Sequence, residues 1–181
     1  MVCVRCFLAL PLPEATRETL ADLAHALPMG RPVPEENLHL TLAFLDEVTH
    51  DDLERLHEGL EAMCAPPVTL TLSGLELFGG KSPALMAILA SGADALQGKL
   101  VRAAGQAGIP LPRRRFRGHV TLTRFPRRME PGQLDKLGLF LQSEAATRLP
   151  PFEVGHFALY ASHLHPEGAR HEVLAQYPLE G

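Results

Sequence analysis

Two pseudo-symmetric lobes of mixed strands and helices, facing one groove, are the architecture this 181-residue sequence predicts. Three observations carry that expectation. The tetrapeptide His39-Leu40-Thr41-Leu42 returns 80 positions later as His119-Val120-Thr121-Leu122. Each copy lies in a short apolar run, residues 38–45 and 120–125, whose alternation is that of a half-buried strand. The order of elements is also the same in both halves: strand, helix, motif strand, helix, strand. Outside the motif the halves share little sequence, so the repeat is one of pattern. One bilobal domain over residues 1–181 is expected, with an approximate repeat of 1–80 and 81–181.

The elements follow in order. Residues 2–10 are an apolar run read as the opening strand, ended by Pro11 and Pro13. Residues 14–27 space Leu20, Leu23, Ala24 and Leu27 along one helical face, closed by Pro28. After the first motif strand, residues 51–63 repeat that spacing through Leu53, Leu56, Leu60 and Met63, with Thr49 or Asp51 placed to cap the start. Val68, Leu70 and Leu72 alternate as a strand, and a bulge would fall at Gly74. Gly79-Gly80-Lys81-Ser82-Pro83 lacks the spacing of a phosphate-binding loop and reads as the turn between lobes. The second half offers a strand at 84–90 and a helix near 93–107 with Leu96, Leu100 and Ala104 on one face. The second motif strand follows, then a helix from Pro131 with Leu134, Leu137 and Leu141 inward, and strands at 152–160 and 171–177. His163 and His165 share a strand spacing that could bind a metal, but residues 164–168 read as a turn, so the pair carries no assignment.

Composition narrows the class. Hydrophobic content of 46% with 21% charged residues is ordinary for a globular protein. No apolar stretch approaches the roughly 18 residues of a membrane span. The first five residues lack the basic region of a secretory signal, so a cytoplasmic protein without a membrane partner is expected. Cys3 and Cys6 form a C-x-x-C inside a strand, where positions three apart face opposite ways. Two buried thiols are expected there rather than a redox or zinc site. Seven arginines (113, 114, 115, 117, 124, 127 and 128) and no acid crowd around the second motif, within a chain of net charge −4. That placement predicts a local anion site, against the blander reading of a solvated loop.

Residues two apart on a strand share a face, so each motif aims a histidine and a threonine one way and two aliphatics the other. One such strand would mean little. Two suggest a pair of imidazoles and a pair of hydroxyls converging on one small anionic group. Two imidazoles can divide acid–base labour at a phosphodiester, one neutral and accepting a proton, one cationic and donating it. Threonine hydroxyls donate to phosphate oxygens without adding charge, and a nearby arginine offsets charge growing on phosphorus. No acid is interleaved with either motif, so neither a metal nor another cofactor is expected. The other seven histidines (25, 50, 57, 156, 163, 165 and 171) lack a matched partner and read as structural.

The chain resembles the two-histidine (2H) phosphoesterases, defined by two His-x-Thr-x motifs, and among them the RNA 2′,3′-cyclic phosphodiesterases, also called 2′-5′ RNA ligases. The residues carrying the likeness are Arg5-Cys6-Phe7-Leu8-Ala9-Leu10, the stretch 34–45 around the first motif, 116–124 around the second, and the tail from Tyr160-Ala161-Ser162 to Tyr177-Pro178-Leu179. Two departures stand out: Asp46 where glycine is usual, and Gly118 where proline often precedes the histidine. The resemblance implies an α+β fold of two lobes, each an antiparallel sheet with helices on its outer face, around a central groove. It implies metal-independent hydrolysis of RNA or nucleoside 2′,3′-cyclic phosphate ends to 2′-phosphates. His39 would be the proton donor, His119 the proton acceptor, and Thr41 and Thr121 would hold the phosphate. Arg124 would add a substrate contact, and Phe44 would either stack on the terminal base or pack in the core. Both lie five residues past a histidine, so a bulge, twist or strand end must return them to the groove face. Such a chain is expected to work as a monomer. Reversible 2′-5′ ligation is the neighbouring activity, and a nucleotide- or RNA-binding module without catalysis is the alternative from another class.

Overall fold

The computed structural model describes residues 3–80, 82–165 and 168–181. Nine strands and four helices are found among them: β1 (Cys3–Pro11), α1 (Glu14–Ala26), β2 (Arg31–Pro32), β3 (His39–Thr49), α2 (His50–Glu61), β4 (Val68–Gly79), β5 (Pro83–Ser91), α3 (Asp94–Gln106), β6 (His119–Arg124), α4 (Pro131–Ser143), β7 (Phe152–Val154), β8 (His156–His165) and β9 (Gly168–Pro178). They form two sheets whose pairings are all antiparallel, one ordered β3-β1-β8-β9 and the other β2-β6-β5-β4-β7. The protein is α+β, with four helices flanking two antiparallel sheets.

Each sheet draws strands from both halves of the sequence. Residues 79–83, expected as the turn between lobes, instead close the β4–β5 hairpin inside the second sheet, where Gly79 faces Pro83. A short link between antiparallel strands makes them neighbours in one sheet. Lys81, at the centre of that link, lies outside the described residues. The expected strand at 152–160 is two strands. β7 pairs with β4 in the second sheet and β8 with β1 in the first, and Gly155 between them is the crossing point. Of the turn expected at 164–168, Leu164 and His165 belong instead to β8 and Gly168 to β9, while residues 166 and 167 lie outside the described residues. Two short features carried no periodic signal: β2, which pairs with β6, and a 3-10 turn at Glu35–Asn37. Gly30, with φ of 77°, lets this strap lie against β6, because a Cβ there would stand 2.6 Å from Thr123 Cγ2.

Alternation places one face of each sheet in a continuous core. Leu8, Leu10, Leu40 and Leu42 enter it from the first sheet, Met86, Ile88, Val120 and Leu122 from the second, and Leu20, Leu56 and Leu100 from the helices. Each full burial of this kind is worth about 1.5–3 kcal/mol. α1 lies against β6 and β2, and α3 against α2 and β3. Thr49 caps α2 as expected, accepting from the Asp52 backbone N–H at 3.2 Å. Leu137 of α4 is buried, but Leu134 in its first turn is 43% exposed, contrary to the inward position expected. The cysteine expectation also needs correction. Cys6 is buried, and burial pushes its thiol up to about 11, but Cys3 is exposed at the strand's outer end, opposite Thr49.

Candidate active site

Both motif strands carry the same irregularity at the same place. Thr41 faces Ala9 and Ala43 faces Leu8, so β3 advances two residues while β1 advances one. Thr121 faces Ala87 and Thr123 faces Met86, so β6 does the same against β5. Leu42 and Leu122 are therefore equivalent bulge residues, each one step past its threonine. A bulge restores to one face residues that an odd offset would send to the other. Phe44 accordingly sits opposite Phe7, on the face that carries His39 (opposite Pro11) and Thr41. Arg124 sits opposite Leu85, on the face that carries His119 and Thr121. β3 and β6 lie next to each other where the two sheets meet.

The two histidines are also held by the same local device. His119 Nδ1 is 2.7 Å from the Arg117 carbonyl oxygen. A carbonyl can only accept, so Nδ1 carries a proton, and in the neutral ring the lone pair is on Nε2. His39 makes the corresponding bond to the backbone two residues before it, at Asn37, and that bond favours the protonated ring. Each imidazole lies on a phenylalanine: His39 on Phe7 at 4.8 Å and 23°, His119 on Phe78 at 4.4 Å and 25°. Arg117 lies over the Phe78 ring at 5.0 Å and binds both carboxylate oxygens of Glu76. That pairing removes one arginine of the basic run from the expected anion site, while Arg113, Arg114, Arg115, Arg127 and Arg128 stay exposed in the segments flanking β6.

Around His39 the first sheet presents an aromatic cluster. Phe7 stacks on Tyr160 at 5.0 Å, and His171 meets both Phe7 (4.9 Å) and His39 (5.3 Å) edge to face. Burial, then His171, then Arg124 push the His39 pKa down to about 4, against the opposing Asn37 bond. Arg124 also lowers the pKa of His171, after burial. One arginine of the second motif strand thus acts electrostatically on two histidines of the first sheet. Phe44, with core packing and base stacking both open from sequence, is 67% exposed, with its ring 6.1 Å from Phe7. The hydroxyls of Thr41 and Thr121 have no hydrogen-bond partner among the described residues, and no ring contact there joins His39 to His119. No group of three or more His, Cys, Asp or Glu side chains suited to a metal ion is found among the described residues.

His171 is the residue that sequence reasoning misses. No motif surrounds it, so from sequence it reads as structural, yet β9 carries it to His39. Only the alternation around it on a terminal strand could have hinted at a face, and nothing local names that face. His163, by contrast, is engaged at the surface, with Nε2 3.0 Å from Glu172.

Comparison with known proteins places these features in a family. The model of the family described as LigT like phosphoesterase matches the chain twice, over residues 10–88 and 85–171, and each match contains one His-x-Thr motif. An RNA 2′,3′-cyclic phosphodiesterase of Escherichia coli is 31% identical, over 97% of this chain and 96% of its own length. One of Geobacillus stearothermophilus is 29% identical over 97% of this chain, which spans 57% of that relative's length. The crystal structure of Escherichia coli LigT complexed with 3′-AMP superposes with a TM-score of 0.77 at 26% identity, covering 98% of both chains.

Proposed function

The chain belongs to the LigT like phosphoesterase family, and from that premise we propose that it is an RNA 2′,3′-cyclic phosphodiesterase, opening cyclic phosphate ends of RNA or nucleosides to 2′-phosphates. The observation that carries the reading is the matched pair of motifs: same bulge, same backbone anchor, same aromatic support.

Water attacks phosphorus and loses a proton to His119 Nε2, the nitrogen left with a lone pair by the Arg117 bond. The phosphorus–O3′ bond breaks, and O3′ takes a proton from His39. The product is a 2′-phosphate with a free 3′-hydroxyl, and the two imidazoles exchange their protonation states. Thr41 and Thr121, with uncommitted hydroxyls, donate to the non-bridging oxygens, and Arg124 offsets their charge. Exposed Phe44 offers a face for the terminal base. Residues 1–181 would act as one bilobal unit and as a monomer, since one chain supplies both motifs; an RNA substrate fits a cytoplasmic setting. The same site would run in reverse when a 5′-hydroxyl RNA replaces water, with hydrolysis the dominant direction.

The test is product analysis on 2′,3′-cyclic nucleotides and oligonucleotides, with EDTA present, for the wild type, His39→Ala and His119→Ala. The wild type should yield 2′-phosphates, and each variant should lose roughly 10³-fold in turnover while still binding nucleotide. A protein that binds RNA but opens no cyclic phosphate would be a binding module instead. Activity lost to EDTA and restored by a divalent ion would overturn the metal-free mechanism.

A further inference from the structure

We propose that His171 is a third substrate-contacting histidine, a neutral N–H donor that grips the ribose side of the nucleotide next to His39. The inference deepens the hydrolase reading above and rests on its assignment of His39 to the leaving oxygen. Its basis is geometric. β9 brings the His171 ring edge-on to His39 at 5.3 Å and to Phe7 at 4.9 Å. The ring lines a cavity of about 180 Å³ together with His39, Tyr160, Arg17 and Glu36.

Its two nitrogens differ. Nδ1 is buried with no hydrogen-bond partner among the described residues. Nε2 makes no hydrogen bond there either but is not closed off in that way. A neutral imidazole holds one N–H and one lone pair, and a buried unpaired N–H is the rarer burden of the two. The proton therefore belongs on Nε2, the nitrogen that is not buried, and the buried Nδ1 keeps the lone pair. Protonating the ring would bury an unpaired cationic N–H, beside Arg124, so His171 remains a neutral donor; its lowered pKa has those same two causes.

The cavity is lined by polar and apolar side chains together, with Leu12, Leu38 and Val173 beside the polar groups. Arg17 is among the lining residues, and its Nε is also buried without a hydrogen bond, 3.7 Å from the Glu35 carboxylate. All of the lining residues belong to the first sheet or the segments flanking it, and none to the strand of His119. What enters this cavity is thus the part of the ligand on the His39 side. With His39 protonating O3′, that part is the ribose, whose oxygens are acceptors for an N–H.

Titration calorimetry with adenosine 2′-phosphate, and separately with inorganic phosphate, tests the contact on the wild type, His171→Gln, His171→Asn and His171→Phe. Glutamine can set its amide N–H near the Nε2 position and should keep nucleotide affinity within about 3-fold. Asparagine places its amide near Nδ1 and phenylalanine offers no donor, so both should lose roughly 10-fold, the worth of one hydrogen bond. Phosphate affinity should stay unchanged in all three. Wild-type nucleotide affinity in the Asn and Phe variants would overturn the proposal. So would a parallel loss of phosphate binding, because His171 would then be a prop for His39. If the wild type binds the nucleotide but turns over no cyclic phosphate, the hydrolase reading fails while the titrations still read the His171 contact.

Discussion

At the residue scale, His39 is the group whose chemistry the fold perturbs most. Packed on Phe7, beside His171 and within the field of Arg124, it has a pKa near 4 and is neutral in the empty site at pH 7. To serve as the proposed general acid, the His39 imidazole must be cationic when it acts. An anionic phosphate bound there would supply the missing counter-charge, since an opposite charge a few ångströms away favours the protonated ring. The His39 ring, followed by NMR, should titrate near pH 4 in the free protein and at a clearly higher pH with inorganic phosphate bound. A midpoint that ignores phosphate would mean that the anion does not reach His39. The sign for stability follows from the depressed value. Unfolded His39 binds its proton near 6.5 and folded His39 near 4, so its contribution is complete above about 6.5 and is lost as pH falls to about 4. The gap corresponds to ~3 kcal/mol, and His39→Phe should flatten that part of the stability profile in urea melts.

At the element scale, the two motif strands bring Phe44 and Arg124 to the histidine face because of their bulges, and here the sequence was only partly legible. The need for a bulge was readable from the odd offsets of Phe44 and Arg124. Its identical position, at Leu42 and Leu122, became visible only with register. The two departures from the family pattern also acquire causes. Asp46 takes a positive φ of 59°, the backbone state for which glycine is the usual residue and which aspartate tolerates better than most. Gly118 has a conformation open to any residue, but a Cβ there would lie 2.6 Å from the Ala90 carbonyl oxygen. Its own carbonyl accepts from the Ala90 N–H at 2.8 Å, so β5 and the approach to β6 are locked at that spacing. Gly118→Ala should therefore force the start of β6 away from β5, costing about 1–3 kcal/mol as overpacking does. Because His119 is the next residue, turnover should fall together with the melting temperature. Unchanged stability would show that the strand gives way freely. Helix spacing, caps and the motif strands were legible because they are local. β2, the break at Gly155 and the placement of His171 were not, since a two-residue strand, a change of sheet and a cross-sheet neighbour leave no periodic mark.

At the scale of the whole molecule, pattern symmetry and physical assembly diverge. The sequence repeats on either side of residue 80, and the family model matches twice, yet the sheets do not divide there. β4 leaves the first half to pair with β5 and β7, while β8 and β9 return from the second half to complete the sheet of β1 and β3. The helices cross as well, α1 lying against β6 and α3 against β3. A lobe isolated at the repeat boundary would expose strand edges and apolar faces that the other half covers in one shared core. The chain should accordingly unfold in a single transition, with coincident far- and near-ultraviolet dichroism and a calorimetric enthalpy equal to the van't Hoff value. Fragments 1–80 and 81–181, produced separately, should each lack a cooperative melt and show little amide protection from exchange. The strand exchange also bears on the proposed ligand contacts: His39 and His171 reach one face only because β8 and β9 close the first sheet, so neither fragment should bind adenosine 2′-phosphate. A fragment that melts cooperatively, or two separated transitions in the intact chain, would show that the halves are independent bodies and that the two motif strands are held together by contacts weaker than this topology implies.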